Sequence, residues 1–468
     1  MSRRPLVLAL ALVLLPAAGA HAEDLLQTYE LARTSDPQLS AAESGALSTK
    51  EGAVQARSAL LPQVNGTATL SRSRLTSDGG VAVDPETGLP IAANGTTEST
   101  SRRYGVDVRQ MVYDRSNFTR LKSQKALSRS ADFQLESAGD TLATRTSAAY
   151  FNVLVAIETL AAAEAQETAL KKQFDFADKR LEVGLAPITD VHEARAQYDS
   201  ARANTIVTRN ALEDAYQALA EITGTSVRNL KGLPEDFKPE LPAEQSADSW
   251  VSAAIENNPA LKAKQFQVES AAANVETARA GHWPTLYLNG GYDKSASWGD
   301  GGAISGSRSS ESRGPSLGLT LSVPIFSGGL VSSQVRQAIA DRDVAADELE
   351  QQRRALVRNT RNAYQTLVAG ISEVEARKAA VFSARSAYDA SQVGLEVGTR
   401  TVLDVLNNQR TLFDAEREYA LSRYNFLQNR LLLEQAAGSL EVADIQDINR
   451  LLTADAEAEL APGNIPPQ

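Results

Sequence analysis

Two hydrophobic patterns alternate along this chain, and each of them occurs twice. Long stretches place apolar residues at alternating spacings of four and three, which is the heptad spacing of helices that pack side by side. Shorter stretches alternate apolar with small polar residues, which is typical of β-strands. The patterns therefore predict a mainly α-helical chain that also contains two pairs of strands.

The first long helical pattern runs from about Asn117 to Val183 and continues, after a short turn, to Ile222. Its seam is interrupted only by Glu167 and otherwise consists of Ala149, Val153, Ala156, Leu160, Ala163, Leu170, Phe174, Ala177 and Leu181. A second pattern, from about Leu330 to Val397, repeats this seam at an offset of 214 residues, the separation of Glu182 from Glu396. Each long helix with its return arm is predicted to form an antiparallel hairpin.

The turns of the two hairpins have matching sequences, Glu182–Val191 and Glu396–Val405. Gly184 and Gly398 stand where each helix needs a left-handed residue to end. The next helix of each hairpin then has residues near its start that can cap it or complement its dipole, namely Thr189, Asp190, Thr401 and Asp404.

Period-two alternation begins after Leu61-Pro62 and again after Trp283-Pro284. The predicted strands carry apolar residues on one side and small polar residues on the other; they include Val64, Leu70, Tyr104, Val106, Val108, Val112, Leu286, Leu288, Tyr292, Leu317, Leu319 and Leu321. The residues between the first two strands, and Ser295–Gly314 between the last two, are predicted to be polar loops. Transmembrane strands and a soluble half-buried hairpin both fit the first two strands.

The whole sequence is a tandem duplication. Asp36-Pro37 and Asn258-Pro259 interrupt short helices at equivalent places, with an offset of 222 residues from Pro37 to Pro259. The order helix, two strands, long helix, turn and helix thus occurs twice. The Ala-, acid- and Pro-rich end, from about Thr453 to Gln468, is predicted to be disordered.

The first residues have the pattern of a secretory signal peptide. Arg3 and Arg4 precede the short apolar run Leu6–Leu15, and Ala20-His21-Ala22 predicts cleavage after Ala22. The chain has no cysteine, so lipid attachment to cysteine and disulfides are excluded. The net charge of −11 and the absence of basic runs argue against nucleic-acid binding. No later run of eighteen apolar residues is visible, so any membrane segment must consist of strands.

An enzyme is not favoured. His192 and His282 are the only histidines beyond the signal peptide, and neither lies in a metal-ligand spacing. No nucleophile, phosphate-binding or dinucleotide motif occurs, so no cofactor or metal is expected. A passive coiled-coil scaffold in the periplasm or a surface adhesin is the alternative, and it leaves the alternating strands unexplained.

Four strands cannot close a barrel, and an open sheet edge is not stable in lipid. Two copies would supply eight strands, whose barrel is filled by its own side chains. Three copies would supply twelve and leave a lumen, which suits the small polar face of these strands. The strand count therefore predicts a homotrimer if the sheet crosses a membrane.

The turn sequences and several flanking motifs resemble the TolC family of outer-membrane channel-tunnels. The resemblance covers nearly the whole chain after the signal peptide and rests on the segments Val183–Tyr198, Val397–Leu406, Ala149–Leu154, Leu60–Gln63, Pro324–Gly329 and Ser333–Arg336. It implies a trimer with a twelve-stranded barrel in the outer membrane and a long α-helical barrel in the periplasm of a Gram-negative cell. It also implies a gated exit duct for efflux and type I secretion.

The family's partners would be a periplasmic adaptor (membrane fusion) protein and an inner-membrane pump of the ABC, RND or MFS class, together with outer-membrane lipid. By resemblance the adaptor would dock at the tips, on Gly184, Leu185, Gly398 and Thr399. Asp107 and Arg109 would face the lumen of the barrel. From the residues alone, the tips are helix terminations and the two charges lie on an exposed strand face.

The resemblance further implies a gate at the second turn. Asp404 would form a carboxylate ring at the narrow end, and Asn407 stands where the family has a second acid, so divalent cations are expected to bind less strongly. Arg400 matches a residue that latches the entrance closed against positions matching Thr189 and Asp190. The family's second latch uses a tyrosine where this chain has Leu395. Without the resemblance, the residues favour Asp404 as a helix-start acid that complements the dipole, and Arg400 as a solvated turn residue.

These interpretations divide the chain into eight segments. They are the signal peptide (1–22), the first helices (23–60), the first barrel hairpin (61–113), the first long helix with its tip hairpin (114–224), an equatorial linker with helices (225–283), the second barrel hairpin (284–326), the second long helix with its tip hairpin (327–438), and a C-terminal equatorial segment with a disordered tail (439–468).

Overall fold

The computed structural model forms the helices and strands that the two periodicities predict. It describes residues 24–77, 81–83, 87–92, 95–185, 187–234, 236–241, 246–301 and 305–460. The predicted signal peptide and the last eight residues of the predicted tail, 461–468, lie outside the described residues.

Each half of the chain contributes two long helices and two long strands. The first half contains α1 (Leu25–Ser35), α2 (Pro37–Ser58), β1 (Gln63–Ser77), β2 (Val81–Val83), β3 (Pro90–Ala92), β4 (Gly95–Tyr113), α3 (Arg115–Glu182), α4 (Ile188–Thr223) and β5 (Lys231–Gly232). The second half contains α5 (Ala247–Asn257), α6 (Pro259–Arg279), β6 (Thr285–Gly301), β7 (Ser305–Ser322), α7 (Leu330–Glu396), α8 (Val402–Ala437), α9 (Val442–Leu451) and β8 (Ala454–Asp455).

The chain divides into two compact units. The helical unit comprises the described parts of Met1–Ser44, Gln134–Leu261 and Gln352–Gln468. The sheet unit comprises Gly45–Phe133 and Lys262–Gln351. Both long helices contribute residues to each unit.

The helical unit has one large apolar core away from the turns and only small apolar clusters near the turns. The core includes the fully buried side chains of Tyr150, Leu154, Leu212, Leu219 and Leu367. Toward the turns, the buried residues reduce to two small clusters, one of Leu170, Ala201 and Leu406, the other of Ala177, Val191 and Ala194. Most of these positions belong to the predicted seams, whose small residues let the helices approach closely.

The sheet unit contains a four-stranded antiparallel sheet in the order β1-β4-β6-β7. The helices α2, α3, α6 and α7 join these strands at one end of the sheet, next to Gln63, Tyr113, Thr285 and Ser322. The other end carries the short β2–β3 ribbon, in which Val81 pairs with Ala92.

The strands are longer than the alternation of apolar residues predicts. β1 continues to Ser77, and most of the predicted loop Ser295–Gly314 belongs to β6 and β7. The predicted loop was wrong because runs of Ser, Thr and Gly show no alternation of apolar and polar side chains. The backbone hydrogen bonds between strands form without such an alternation. Cross-strand pairs hold these ends instead, including Ser71 Oγ to Ser101 Oγ at 2.7 Å.

The C-terminal segment from Thr453 to Leu460 is ordered, in contrast to the prediction of a disordered tail. β8 pairs with β5, Lys231 with Asp455. The buried carboxylate of Glu457 accepts hydrogen bonds from Tyr216 Oη at 2.5 Å and from the amide of Asn229 at 2.9 Å. These partners lie more than two hundred residues away along the chain, so local composition could not indicate them.

One helix is more apolar than expected, since the sequence analysis predicted no helix apolar enough to cross a membrane. Among the described residues, α3 has an 18-residue window with a mean hydropathy of 1.3. Half of that window is buried inside the protein, as in the core helix of a water-soluble fold. We therefore assign the apolar window of α3 to the core of the helical unit.

Candidate functional site

The two turns of the helical unit end their helices with the same backbone geometry. Gly184 and Gly398 have φ angles of 75° and 77°. In the first turn the amides of Gly184 and Leu185 donate to Leu181 and Arg180, and in the second the amides of Gly398 and Thr399 donate to Leu395 and Gly394. Both are Schellman motifs, in which a left-handed glycine satisfies the last carbonyl groups. The prediction that the two glycines end their helices in a left-handed conformation is confirmed.

The turns differ in how the next helix begins. α8 has a capping box, since Thr401 Oγ1 accepts from the amide of Asp404 at 3.2 Å and the Asp404 carboxylate accepts from the amide of Thr401 at 2.9 Å. The N-cap of α4 is Pro187, which offers no side-chain acceptor, and Asp190 only adds an acid to the first turn.

The capping box also keeps Asp404 ionised. Hydrogen bonds from the backbone and side chain of Thr401, helped by the positive charge of Arg400, hold the pKa of the Asp404 carboxyl below its ordinary value. Asp404 is partly exposed, and Asn407 is exposed one turn further along α8. A carboxylate and an amide are therefore presented side by side near the second turn.

Arg400 packs back onto the last turn of α7. A Cβ atom built on Gly394 would lie 2.6 Å from Arg400 Cγ, so the Arg400 stem occupies the space that a side chain at 394 would need. Within the described part of this single chain, no hydrogen bond or ion pair joins Arg400 to Thr189 or Asp190. Thr189 Oγ1 lies 3.4 Å from Asp190 Oδ1. The predicted latch stays a prediction.

A groove of about 1320 Å³ runs between α3 and α7 beside the turns. Phe176, Arg180 and Leu185 line one side, and Tyr388, Leu395 and Gly398 line the other. Two of the four predicted docking residues, Leu185 and Gly398, thus border one groove. Leu395 is an apolar wall of that groove.

The sheet presents Asp107 and Arg109 on its small polar face. By register this face also carries Asn65, Asn289, Gly291, Asp293, Ser316 and Gly318. Asn65 Nδ2 donates to Asp107 Oδ2 at 3.3 Å, and the Arg109 guanidinium lies 4.1 Å above the Tyr287 ring. The opposite face is apolar and exposed, with Leu317, Leu319 and Leu321 81, 63 and 63% exposed.

A buried polar network in the helical unit was missed by the sequence analysis. Arg423, whose side chain is 8% exposed, pairs with Glu158 at 2.7 Å, and Tyr424 Oη donates to the same carboxylate at 2.8 Å. Tyr424 Oη also accepts from the amide of Leu233 at 3.3 Å. The network ties the irregular linker to α3 and α8. The signal in the sequence was a charged residue, Arg423, among the buried apolar residues Ala420, Phe426 and Leu427 of α8.

Comparisons with known proteins agree with this arrangement. The profile of the family described as outer membrane efflux protein matches residues 28–225 and 250–439. Outer membrane protein TolC of Escherichia coli (strain K12) is 34% identical over 455 residues, covering 96% of this chain and 88% of TolC. Alkaline protease secretion protein AprF of Pseudomonas aeruginosa is 27% identical over 443 residues, covering 93% of this chain and 89% of AprF.

The solved structure of the Campylobacter jejuni CmeC outer membrane channel superposes with a TM-score of 0.74. The match covers 94% of this chain and 90% of CmeC at 17% identity, which shows a shared fold. The predicted channel-tunnel fold, outer-membrane location and non-enzymatic class are confirmed by these relatives, and they do not favour a scaffold or adhesin. This chain belongs to the outer membrane efflux protein family.

Proposed function

We propose that three copies of this chain form the outer-membrane exit duct of tripartite efflux pumps and type I secretion systems. The observation that carries the proposal is the sheet, which has one exposed apolar face and one face of small polar residues. Within the described residues of one subunit, no element covers either face. A twelve-stranded barrel shared by three subunits places the apolar face in lipid and the polar face around a water-filled lumen.

The helical hairpins would form the periplasmic part of the duct, with the turns at its inner entrance. Asp404 would supply a ring of three carboxylates there, and Asn407 a neutral ring one turn away. Arg400 would latch the entrance to Thr189 or Asp190 of the first hairpin, on the same or a neighbouring subunit. With Leu395 in the second latch position, the entrance is held closed by fewer polar links.

The partners in this proposal are a periplasmic adaptor and an inner-membrane ABC, RND or MFS pump. Energy must come from them, because no nucleotide-binding motif occurs in the sequence. The groove between α3 and α7 supports docking at the tips, since a cleft between helices that is lined by both apolar and charged side chains accepts an amphipathic partner helix. Gly184, Leu185, Gly398 and Thr399 would be the contact residues, and Asp107 and Arg109 would line the lumen.

The test is to purify the protein from outer membranes in detergent and to measure its mass and its conductance in a planar bilayer. We expect a heat-sensitive trimer that forms discrete cation-selective channels. Deleting the gene should abolish toxin or protease secretion or raise sensitivity to dyes and bile salts, and the affected assay identifies the main cargo class. A stable water-soluble monomer without conductance would contradict the proposal.

A further inference from the structure

A cluster of cations lies on the apolar face of the sheet, beyond the apolar side chains. Arg102, Lys294 and Arg313 share this face with the carboxylate of Glu311. The register pairs Lys294 with Arg313 and aligns Arg102, Ala296 and Glu311 in the next row. All four charged side chains belong to adjacent rows of three neighbouring strands, so they form one local patch.

The patch lies at the boundary of the apolar band. Starting from the helix-joined end, the outward positions of β7 are Leu321, Leu319, Leu317 and Pro315, and the next one is Arg313. Leu321 to Pro315 spans six residues, or about 20 Å at roughly 3.3 Å per residue. Because barrel strands tilt by about 40°, this run covers about 15 Å along the barrel axis, and the exposed apolar residues Val323 and Ile325 extend it toward the helices, so the run approaches the apolar band of about 25 Å on outer-membrane barrels. The patch therefore follows the lipid-facing band at the end of the sheet away from the helices.

Aromatic residues mark the same boundary. Tyr292, Tyr104 and Trp298 point to the apolar face by register and are 52, 54 and 42% exposed. The Arg102 guanidinium lies 5.7 Å from the centre of the Trp298 ring. Aromatic girdles form where a barrel passes from hydrocarbon to headgroups. The three cations are therefore at the level of lipid headgroups and not in the hydrocarbon.

We propose that Arg102, Lys294 and Arg313 bind the headgroup phosphate of an anionic lipid in the outer leaflet. The inference rests on the proposed membrane position of the sheet. Lys294 Nζ lies 2.7 Å from Glu311 Oε1, whereas within the described residues no carboxylate bonds the guanidinium groups of Arg102 and Arg313, which can offer paired N–H donors to phosphate oxygens. The patch carries three cations and one carboxylate, so its net positive charge attracts an anion. The neighbouring apolar side chains of the lipid-facing band would contact the acyl chains of the same lipid.

The test uses the detergent-purified trimer, reconstituted in phosphatidylcholine vesicles that contain a minor fraction of lipid A or of phosphatidylglycerol. Lipid retained on the protein is then counted by native mass spectrometry. We expect the wild type to enrich the anionic lipid over zwitterionic phosphatidylcholine. Each of Arg102→Gln, Lys294→Gln and Arg313→Gln should reduce the enrichment about fivefold, and the triple variant about a hundredfold.

Two further variants distinguish lipid binding at this patch from a general effect of the protein's net charge. Glu311→Gln removes the competing carboxylate and should increase the enrichment. Arg103→Gln is the matched control, because Arg103 neighbours Arg102 on β4 but lies on the polar face. It should leave lipid binding unchanged. Added inorganic phosphate should not displace the lipid, since the acyl chains contribute to binding.

Equal enrichment by the wild type and the triple variant would overturn the proposal. Trimer mass and single-channel conductance are measured on the same samples. A wild type that inserts and conducts but does not select lipid disproves the lipid site alone. A wild type that neither inserts nor conducts disproves the proposed duct.

Discussion

The side chain of Arg400 occupies the space beside Gly394 that a β-carbon would fill. A Cβ built on Gly394 would meet Arg400 Cγ at 2.6 Å and Arg400 Cβ at 3.2 Å. The amide of Arg400 also donates to the Gly394 carbonyl at 3.1 Å. The residue with the proposed latch role is therefore positioned by a glycine six residues earlier, which contributes no charge or hydrogen-bonding side chain.

Gly394→Ala should open the entrance without weakening the helix. The new methyl group forces the Arg400 stem to another rotamer, while alanine in a helix is more favourable than glycine by up to about 1 kcal/mol. We expect single-channel conductance to rise at least twofold, as we expect for Arg400→Ser, with no drop in melting temperature. Gly139→Ala, a helical glycine with no atom within 4 Å of the built Cβ, is the control. Wild-type conductance in Gly394→Ala would remove this contact from the gate.

The carboxylate of Asp404 and the amide of Asn407 should set ion selectivity in opposite directions. Asp404→Asn removes the proposed charge ring and is expected to reduce the preference for cations over anions severalfold. Asn407→Asp adds a second ring, and we expect divalent cations to block the channel at concentrations at least tenfold lower, because more carboxylates bind a hard cation better. Reversal potentials and divalent-cation titrations in planar bilayers measure both effects.

Asp404 also belongs to the capping box, so a second variant must separate charge from helix capping. Thr401→Ala removes the capping hydroxyl, which costs about 1 kcal/mol of helix stability, and keeps the carboxylate. Selectivity should survive in Thr401→Ala and decline in Asp404→Asn. The same loss in both variants would mean that Asp404 acts only on the structure of the helix start.

Glu158→Ala should destabilise the helical unit by about 3 kcal/mol, because it leaves the buried guanidinium of Arg423 without its carboxylate. The matched control is Glu164→Ala on the same helix. Its partner, Arg209, has a side chain that is 44% exposed, so the loss should be below about 1 kcal/mol. Thermal melting followed by circular dichroism compares the two variants, together with the temperature at which the proposed trimer dissociates. Equal shifts would show that the Arg423 pair contributes no more than a surface pair.

Glu434 should make stability depend on pH near neutrality. Burial, followed by the negative charge of Asp444, raises the pKa of Glu434 from 4.5 to about 7, against the opposing effect of Arg430 at 3.2 Å and with a smaller contribution from Asp447. The folded protein holds this proton more tightly than the unfolded chain, so the resulting stability is complete below pH 4.5 and is lost as the pH rises through about 7.

Glu434→Gln removes the titrating group and keeps the shape of the side chain. From the linkage relation, we expect the melting temperature of this variant to exceed that of the wild type at about pH 8. The dependence of its melting temperature on pH between about 5 and 8 should be flatter. The exposed Glu375 on α7 offers the control Glu375→Gln. A wild type whose melting temperature rises over that interval would contradict the assignment.

Local chemistry was sufficient for much of the fold. Heptad seams, the left-handed glycines Gly184 and Gly398, and the Asp36-Pro37 break depend on residues within a turn or two of each other. The structure places those helix ends within two residues of the predicted positions. The alternation in β4, with Val106 outward and Asp107 inward, is equally local because strand side chains alternate at every residue.

The two periodicities and the turns follow from the sequence alone because each arises from neighbouring residues, and the duplication follows from the recurrence of the same segments 214 or 222 residues later. Only the tertiary structure decided how far the strands extend, that Glu457 anchors the C-terminal segment, that Glu158 neutralises Arg423 and that Gly394 makes room for Arg400. The first three depend on partners far away in the chain, which no local pattern specifies. The last depends on the path of the turn, since only folding brings a side chain back onto the helix that it has just left.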